Sequence, residues 1–358
     1  DSSYQLRHQI LKIKRKLAHE HCTALLIAGD TAVTELSSLQ TIVHGVIRLV
    51  QDSPLYGEPR RRMELTKMRG MDFPGGFHDF RIRKGGLEVY PRLQLQAITS
   101  QPDFKVVASG IPELDSLLGG GLEEGTSCLI TGPSGTGKST LASLYVQAAA
   151  KRGERSVFFC FDERRETFLR RAKGLNMDMP RYIGEGLVDL RQVNVGEISP
   201  GEFVQDIRAN VDRKQVRIVV IDSLTGYLNA MPEEKLLLIQ LHELISYLSK
   251  AGVLTIMVAT AHGLIGSVGT QIDASYIADS VVVMRHFEHR GSLRRCVSVF
   301  KKRHGAHETS IREISIADGR IKIGPSLREF SGTMTGIPRF ERENDAYFDR
   351  NEKDHKEG

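Results

Sequence analysis

Residues 128–139 read CLITGPSGTGKS. Positions 132–139 match the pattern GxxxxGK[ST], in which glycines let a loop wrap around phosphate groups with its backbone N–H groups pointing inward. A strand pattern precedes this loop and a helix pattern begins at Lys138, which is the context that such a loop requires. The start of that helix adds the positive end of its dipole beside bound phosphates. The stretch therefore predicts a nucleotide-binding loop, or P-loop, rather than an accidental glycine-rich turn.

The side chains of the P-loop have separate expected roles. Lys138 reaches the outer phosphates of a nucleotide, and the Ser139 hydroxyl ligates magnesium. Backbone amides and hydroxyls around them contact the remaining phosphate oxygens. We expect nucleotide contacts from Ser134, Gly135, Thr136, Gly137, Lys138, Ser139 and Thr140.

Downstream of the P-loop, strand-like apolar runs alternate with stretches of helical periodicity. The strand patterns are SVFFCF at 156–161, VRIVVID at 216–222 and VLTIMVAT at 253–260, and helix patterns begin near 138, 165, 200 and 233. Such alternation is typical of a mainly parallel sheet with helices on both faces. We therefore predict an α/β fold for 104–330.

Acidic residues end two of these strands, at the edge where open α/β sheets bind ligands. Asp222 closes the apolar run 216–221, and we assign it to the magnesium ion, directly or through water, rather than to a helix cap. Asp162 and Glu163 follow 156–161, a strand that we expect next to the P-loop strand. Either acid could orient and deprotonate an attacking water, with Glu163 ahead of Asp162. Helix capping is the alternative for this pair.

Lys301, Lys302 and Arg303 follow an apolar strand near the C-terminal end. A run of charges at a strand end is usually a solvated face. In oligomeric P-loop ATPases, a cation from a neighbouring subunit instead stabilises charge on the γ-phosphate in the transition state. Lys67 and Arg69 occupy the same place in a partial repeat, so both interpretations stay open. We retain Lys301 and Arg303 as candidate catalytic residues.

The N-terminal part of the chain repeats the second half of this pattern. Residues 5–27 parallel 236–258, with a helix followed by a strand at 23–27. Further matches are 42–49 with 276–283, 64–69 with 298–303, and 78–89 with 307–323. We therefore assign 1–93 to the C-terminal half of a first domain, 94–103 to a linker and 104–330 to a complete domain. Residues 331–358 lose apolar periodicity and are expected to form a charged, disordered tail.

The composition is ordinary for a soluble globular protein, with 40% hydrophobic and 26% charged residues among 358. A net charge of +5 is weak support for a nucleic-acid partner, because binding of ATP alone accounts for it. Cys22, Cys128, Cys160 and Cys296 form no CxxC pair, which favours reduced core residues in the cytoplasm. No apolar run is long enough to cross a membrane. The chain begins without Met, as a fragment of a longer protein would.

Several segments together resemble the KaiC family, a branch of the RecA-type P-loop ATPases associated with circadian clocks. They are SGIPELDSLLGGGLEEGTSCLITGPSGTGKST at 109–140, FDER at 161–164, IDSL at 221–224 and VFKKRHGAHETSIREISI at 299–316. The resemblance implies a RecA-like fold with C-terminal β-hairpins and two tandem domains, CI and CII, of which 104–330 is the second. It also implies hexameric rings with ATP and Mg2+ at the subunit interfaces. On this resemblance Asp162 and Glu163 match the family's paired glutamates, and Lys301 and Arg303 match cations that act on a neighbouring subunit.

The same resemblance implies a second activity, because KaiC proteins phosphorylate themselves on an adjacent Ser-Thr pair. The segment TQIDASYIADS at 270–280 aligns with that region and carries Ser275 followed by Tyr276, so the Thr acceptor is absent. Ser275 is the leading candidate acceptor, and Thr270, which matches a neighbouring Thr of the family, is the second. The expected function is an ATPase with Ser/Thr autokinase activity, acting as an oligomeric switch with regulatory protein partners.

Two other functions fit the same fold. The first is a DNA-dependent recombination ATPase of the RecA or RAD type, whose loop 263–274 would bind single strands. That loop, GLIGSVGTQIDA, contains no Lys or Arg to neutralise phosphates, so we expect no nucleic-acid partner. The arginines at 164–171 are expected to be solvated surface, without the interleaved aromatics that stack on bases. The second is a scaffold that binds ATP without turnover, which would have no need of Glu163.

Overall fold

The structure is a computed structural model of the chain, and it describes residues 2–29, 40–53, 57–93, 105–194, 196–229, 234–261, 274–317, 319–328, 330–331 and 339–340. The chain divides into two compact units, Asp1–Gln94 and Leu95–Gly358. The expected linker at 94–103 lies outside the described residues, and so does Thr270 with the adjoining part of loop 263–274.

Within its described residues, the first unit contains a helix and a four-stranded antiparallel sheet. Its elements are α1 (Ser2–His19), β1 (Gly45–Asp52), β2 (Arg60–Met68), β3 (Phe77–Arg83) and β4 (Gly86–Tyr90), and the strands pair in that order. Leu49 lies opposite Met63, and Met63 lies opposite His78, so the three side chains share one face of the sheet. His78 is buried and its Nδ1 accepts a hydrogen bond from the Arg92 N–H at 3.1 Å. The histidine therefore has a structural partner in this unit.

The strand expected at 23–27 is wrong. Residues 22–29 form no strand, and Leu25 and Ile27 are 85% and 98% exposed. The corresponding segment of the second unit, Leu254–Thr260, forms a strand with parallel partners on both sides. No described segment of the first unit supplies such partners, since its sheet contains only the four strands named above. The run at 23–27 has the composition of a strand without a sheet to join.

The second unit alternates strands with helices, as the sequence predicts. Its strands are β5 (Val106–Val107), β6 (Leu122–Glu123), β7 (Ser127–Gly132), β8 (Arg155–Cys160), β9 (Val188–Gln192), β10 (Val216–Asp222), β11 (Leu254–Thr260), β12 (Ser280–His289), β13 (Ser292–Lys302), β14 (Arg312–Ala317) and β15 (Arg320–Ser326). Its helices are α2 (Pro112–Leu117), α3 (Lys138–Lys151), α4 (Arg165–Gly174), α5 (Met179–Gly184), α6 (Pro200–Lys214), α7 (Leu224–Asn229) and α8 (Glu234–Lys250), and a 3-10 turn, Ala274–Tyr276, precedes β12. Among the helices that the structure describes, none has the length and apolar character of a membrane span.

A nine-stranded sheet in the order β15-β14-β13-β12-β7-β11-β10-β8-β9 forms the centre of this unit. The strands from β12 to β9 run parallel to their neighbours. β12, β13, β14 and β15 continue the sheet as antiparallel hairpins. The predicted α/β architecture, with a mainly parallel sheet, flanking helices and C-terminal hairpins, is confirmed.

One adjacency expected from the sequence is wrong. β8, which leads into Asp162 and Glu163, is separated from the P-loop strand β7 by β10 and β11. The chain passes from β7 to β8 through α3, and a helix about 10 Å wide covers roughly two strands spaced about 4.8 Å apart. The direct neighbour of β8 is β10, so the Phe161 N–H donates to the Asp222 carbonyl at 2.7 Å. The acids after these two strands are therefore neighbours in the sheet.

Helix α3 packs the end of the P-loop against the sheet. Leu141, Leu144, Tyr145 and Ala148, which share one face of the helix, are all buried, and residues on its other faces, such as Val146 and Ala149, are buried too. Leu141, Leu144 and Tyr145 join a core that also contains Ile130 of the P-loop strand. The first turn of the helix, which carries Lys138 and Ser139, is held in position by this packing.

The C-terminal residues partly contradict the expected disordered tail. Phe330–Ser331 pairs with Arg339–Phe340 as two short antiparallel strands, β16 and β17. The Phe330 ring lies 6.4 Å from the ring of Phe287 and 5.1 Å from that of His289, so aromatic contacts hold the first of these strands against β12. Ordered structure thus passes the expected boundary at 330. The other residues of 331–358 lie outside the described part of the chain.

Lys302, in the cation run at the end of β13, does not belong to a solvated face. Its side chain is 2% exposed and pairs with Glu123 of β6 at 2.8 Å. The ammonium also donates to the carbonyl oxygens of Leu118 at 2.7 Å and Gly121 at 3.1 Å. Since an ammonium has three donors, all of them have partners here. Lys302 therefore fastens β13 to the segment that links α2 with β6.

Replacing Lys302 by Met should destabilise the second unit by about 3–5 kcal/mol, because Glu123 would keep a largely buried charge without its partner. The matched change Lys322→Met, at an exposed lysine of β15, should alter stability by less than about 0.5 kcal/mol. Urea denaturation followed by far-UV circular dichroism measures both variants, since the chain contains no Trp. Equal denaturation midpoints would show that the ion pair contributes nothing.

Candidate nucleotide-binding site

Close backbone packing gives the P-loop its shape. At Gly132, where φ is 154°, an added Cβ would lie 2.1 Å from the carbonyl oxygen of Met284 on β12. At Gly137, where φ is 104°, the backbone is left-handed, and an added Cβ would lie 2.4 Å from Ile316 Cδ1. A side chain at Gly132 would therefore clash with the backbone of β12, and one at Gly137 would strain the backbone and displace Ile316, so both glycines of the sequence motif have a local steric reason.

Side chains from the β12–β13 hairpin brace the outside of the P-loop. His286 Nε2 lies 3.2 Å from the Ser134 carbonyl oxygen, and Arg295 donates from Nε to the Gly135 carbonyl at 3.0 Å. His286 is buried, whereas Arg295 extends along the loop toward solvent. Neither residue was predicted from the sequence, because nothing local to β12 or β13 indicates which loop the hairpin touches.

Lys138 is buried at the start of α3. Its ammonium donates to the Pro133 carbonyl at 2.7 Å, and the Thr136 hydroxyl donates to the same oxygen at 2.9 Å. Burial lowers the pKa of Lys138 to about 8. An anion beside the ammonium would favour the charged form that burial disfavours. The loop therefore holds a desolvated cation, as a phosphate site requires.

Asp222 ends β10 and is 9% exposed. Burial raises its pKa to about 6, and the Ser139 hydroxyl and the Arg171 guanidinium oppose that shift. A carboxylate that is costly to ionise gains most from a cation placed against it. Asp222 and Ser139 together offer the hard oxygen ligands that Mg2+ prefers.

The described side chains around Asp222 do not form a metal-binding cage by themselves. Within the described ranges, no group of three or more His, Cys, Asp or Glu side chains could hold a metal ion. Mg2+ is usually held by one or two carboxylates together with phosphates and waters. Asp222 and Ser139 therefore fit an ion that arrives with a nucleotide, rather than a cage made by the protein.

The first acid after β8, Asp162, joins two strand ends. Its carboxylate accepts a hydrogen bond from the Ser223 hydroxyl, which in turn accepts from the Gly226 N–H at 2.9 Å. An added Cβ at Gly226 would lie 2.7 Å from Asp162 Oδ1. Asp162 therefore fastens the end of β8 to the turn that follows Asp222.

The second acid, Glu163, is held by an arginine expected at the solvated surface. Arg171 donates to both carboxylate oxygens, from Nη2 to Oε2 at 2.7 Å and from Nε to Oε1 at 3.2 Å. It also donates from Nη1 to Thr140 Oγ1 at 3.3 Å. The expectation of solvated surface is wrong for Arg171, because α4 turns this residue toward the P-loop helix. Its i,i+3 spacing from the buried Phe168 is the one signal that the sequence offers.

These groups line a cavity of about 650 Å³, a size typical of ligand sites. The predicted residues that line it are Ser134, Gly135, Gly137, Lys138, Ser139, Thr140, Asp162, Glu163 and Asp222. Thr136, which also belongs to the P-loop, is fully buried. Arg171 and Arg295 add cations, and Leu175, Val258 and Ile316 add apolar wall. The cavity thus combines positive charge, hard oxygen ligands and an apolar side.

Lys301 and Arg303 contact the turn that carries Ser275. Lys301 donates from Nζ to the Ser275 carbonyl at 3.0 Å. Arg303 donates to the Tyr276 carbonyl at 2.7 Å and to Asp279 Oδ1 at 3.2 Å. The two candidate cations and the leading candidate phosphoacceptor are therefore close together.

Lys301, Arg303 and Ser275 lie near the amino-terminal ends of the parallel strands, whereas the cavity lies at their carboxyl ends. Asp279 accepts a hydrogen bond at 2.9 Å from the N–H of Ser127, the first residue of β7. The P-loop begins at Gly132, the last residue of β7, and the strand between them spans about 17 Å. Lys301, Arg303 and Ser275 are thus not brought to the P-loop of their own chain.

A family model described as "ATPase: KaiC" matches residues 1–94 and 107–328. The chain belongs to the KaiC ATPase family. The circadian clock oscillator proteins KaiC of Picosynechococcus sp. and Synechococcus elongatus are each 26% identical to it, over 94% of this chain and 66% of their own length. The circadian clock protein KaiC3 of Synechocystis sp. is 28% identical, over 94% of this chain and 68% of its own length. The predicted family and its RecA-like P-loop fold are confirmed.

As a KaiC-family member, the chain is of the ATPase class and has an ATP-binding fold. It spans 66% of the length of the first two relatives, so their circadian role describes those proteins. The matched stretch 107–328 contains the whole P-loop, the strand β10 that ends in Asp222, and the strand β8 with Glu163 three residues after its end.

Asp222→Asn should stabilise the nucleotide-free protein, increasingly so as pH rises from about 4 to about 7. Folded Asp222 releases its proton near its raised pKa of about 6, whereas the unfolded chain releases it near 3.8. The folded state binds more protons in this window, so the wild type loses on the order of 3 kcal/mol of stability that the variant keeps. Urea denaturation at several pH values measures the difference in free energy of unfolding between the variant and the wild type. A difference that stays constant with pH would contradict the raised pKa of Asp222.

Proposed function

We propose that this protein binds Mg-ATP and hydrolyses it. One observation carries the proposal: Lys138, Ser139, Asp222 and Glu163 line the same cavity. They supply a cation for the outer phosphates, two oxygen ligands for a metal ion and an acid that can orient water, which are the parts that phosphoryl transfer needs. Membership in an ATPase family supports the same reaction class.

Each of these residues acts on a different part of the substrate. The backbone N–H groups of the P-loop and Lys138 bind the phosphates and stabilise charge that develops on the γ-phosphate. Ser139 and Asp222 would hold Mg2+, which when bound neutralises phosphate charge. Glu163 orients the attacking water and accepts its proton. Asp162 acts by keeping the ends of β8 and β10 together.

Lys301 and Arg303 are proposed to act on the nucleotide of a neighbouring subunit. Both belong to the edge of the sheet that is about 17 Å along β7 from their own P-loop, so only another copy could offer them a γ-phosphate. Hydrogen bonds to the segment 275–279 hold both side chains in a fixed orientation before a nucleotide approaches. This arrangement supports a homo-oligomer with ATP at the subunit interfaces, and a hexameric ring is the expected form.

Autophosphorylation of Ser275 between chains is the second proposed activity. Lys301 bonds the backbone of Ser275, so a γ-phosphate that reached Lys301 and Arg303 would also come close to the Ser275 hydroxyl. In the transfer, the hydroxyl oxygen bonds to the γ-phosphorus as the bond to ADP breaks, and Glu163 of the other copy receives the hydroxyl proton. Thr270 is kept as the second candidate acceptor.

The two alternative functions are supported less well. A DNA-dependent recombination ATPase would need cations in loop 263–274, which contains none. A scaffold without turnover would not need Glu163 in the cavity. Regulatory protein partners and a cytoplasmic location complete the proposal. The free thiols of Cys128, Cys160 and Cys296 are buried and are consistent with a reducing compartment, whereas Cys22 is exposed and is not the core residue expected.

Glu163→Gln should lower kcat for Mg-ATP hydrolysis by about 100-fold or more, because the variant keeps the phosphate contacts but loses the proton acceptor. Nucleotide affinity, measured by calorimetry, should change little, whereas Lys138→Ala should abolish binding. The matched control is Glu166→Gln, at an exposed acid in the first turn of α4, which should hydrolyse ATP at the wild-type rate. Unchanged phosphate release by Glu163→Gln would exclude Glu163 as the base.

A mixture of two variants, neither of which becomes phosphorylated at position 275 alone, should regain phosphate on Ser275. Lys138→Ala chains keep the acceptor without a nucleotide site, and Ser275→Ala chains keep the site without the acceptor. Because transfer is proposed to occur between chains, peptide mass spectrometry after incubation with Mg-ATP should find phosphoserine 275 in the mixture and in neither variant alone. Phosphate on the wild type but not in the mixture would contradict transfer between chains. Its absence from the assembled wild type would exclude Ser275 as the acceptor.

A further inference from the structure

Arg171 contacts three groups in and around the nucleotide cavity. Its guanidinium donates hydrogen bonds to both carboxylate oxygens of Glu163, at 2.7 and 3.2 Å, as a two-pronged fork. A third donor reaches Thr140 Oγ1 at 3.3 Å, and the guanidinium carbon lies 5.0 Å from the centre of the Phe168 ring. The side chains of Arg171 and Glu163 are each 23% exposed, so the pair is largely withdrawn from solvent. The functional roles described above make no use of Arg171.

The groups that hold Arg171 are themselves fixed by the core. Thr140 is 5% exposed and follows Ser139 directly in the first turn of α3. Phe168 is fully buried and packs edge-to-face on Phe158 of β8, with ring centres 4.9 Å apart. The position of the guanidinium is therefore set by the interior of the unit. Much of the entropy cost of ordering this long side chain is already met before a substrate binds.

We propose that Arg171 is a positioning residue for Glu163, which it holds in a fixed orientation relative to the P-loop helix. The inference rests on the proposed role of Glu163 as the base. Glu163 follows β8, and both β10 and β11 lie between β8 and β7, so the sheet alone does not connect its carboxylate to the phosphate site. The chain of contacts from Thr140 through Arg171 to Glu163 supplies that connection.

The fork geometry leaves Glu163 able to act on water. A carboxylate has about four lone-pair sites, and a bidentate arginine uses one on each oxygen. The remaining sites can accept from a water beside the γ-phosphate. These contacts use three of the five N–H donors of Arg171, and combining its loss with Glu163→Gln distinguishes positioning of Glu163 from a direct contact of the other two donors with phosphate.

Arg171→Met tests this role, because the variant keeps an aliphatic stem over Phe168 while removing the fork. We expect kcat for Mg-ATP hydrolysis to fall about 10- to 100-fold, with KM changed by less than about threefold. Arg171→Lys should recover little activity, since an ammonium cannot reproduce the planar fork on both oxygens. The matched control is Arg170→Met, at the exposed arginine next to it in α4, which should keep the wild-type rate.

Combining Arg171→Met with Glu163→Gln separates positioning from direct action on the nucleotide. If Arg171 acts through Glu163, the double variant should turn over at the rate of Glu163→Gln alone in single-turnover assays. Additive losses, or a raised KM at unchanged kcat, would overturn the proposal. Thermal melting of each variant reports folding. Should Arg171→Met melt below the assay temperature, wild-type kcat in Arg171→Lys would overturn the proposal, and a loss there would support it.

The outcomes distinguish this inference from the proposed function. If Glu163→Gln hydrolyses ATP at the wild-type rate, the proposed base is wrong and the positioning role of Arg171 fails with it. If Glu163→Gln loses turnover while Arg171→Met keeps it, only the role of Arg171 is overturned. If Glu163→Gln and Arg171→Met each lose turnover and the double variant loses no more, the result supports both the role of Glu163 as the base and the positioning role of Arg171.

Discussion

β8, β10, β11 and β7 run in the same direction, so their carboxyl ends meet at one edge of the sheet. That shared direction brings the P-loop after β7 together with Asp222 and Glu163, although these segments are far apart in the sequence. It also puts the start of β7, with Lys301 and Arg303 nearby, at the opposite edge. The shared strand direction thus separates the groups that we propose bind a nucleotide from those that we propose act on a neighbour's nucleotide.

Burial sets the electrostatic character of the cavity. The pKa of Lys138 is lowered to about 8 and that of Asp222 is raised to about 6, in both cases chiefly because water is excluded. Each residue is therefore shifted toward its neutral form. A phosphate beside the first and a metal ion beside the second would reverse these shifts, so ligand binding and ionisation would reinforce each other. The same two buried groups lower the stability of the nucleotide-free protein.

Features that depend on local pattern could be predicted from the sequence, and those that depend on distant partners could not. The P-loop, α3 and the acids after β8 and β10 follow from apolar runs next to glycine-rich or charged turns. The strand expected at 23–27 is absent because an apolar run does not form a strand without neighbours. The predicted adjacency of β7 and β8 is wrong for a similar reason, since the sequence of neither strand indicates which other strands lie between them.

Contacts of long side chains were the least predictable part of the site. Arg170 and Arg171 are adjacent and chemically identical, yet one is exposed and the other forks onto Glu163. Lys302 likewise resembles Lys301 beside it, although its side chain is 2% exposed and paired with Glu123. In both cases the difference is the direction in which the backbone turns the residue, which a run of basic residues leaves undetermined.

The distance between the two functional edges has a consequence for how copies could associate. On the proposed geometry, one surface of each chain gives cations and a different surface receives them, so a two-fold pair that joins identical surfaces would complete no site. Contacts of this heterologous, head-to-tail kind either close into a ring or grow as an open row. A row always ends in a copy whose nucleotide lacks its cations, whereas a ring has no such copy. Closure would therefore remove the one idle site that every open row must contain.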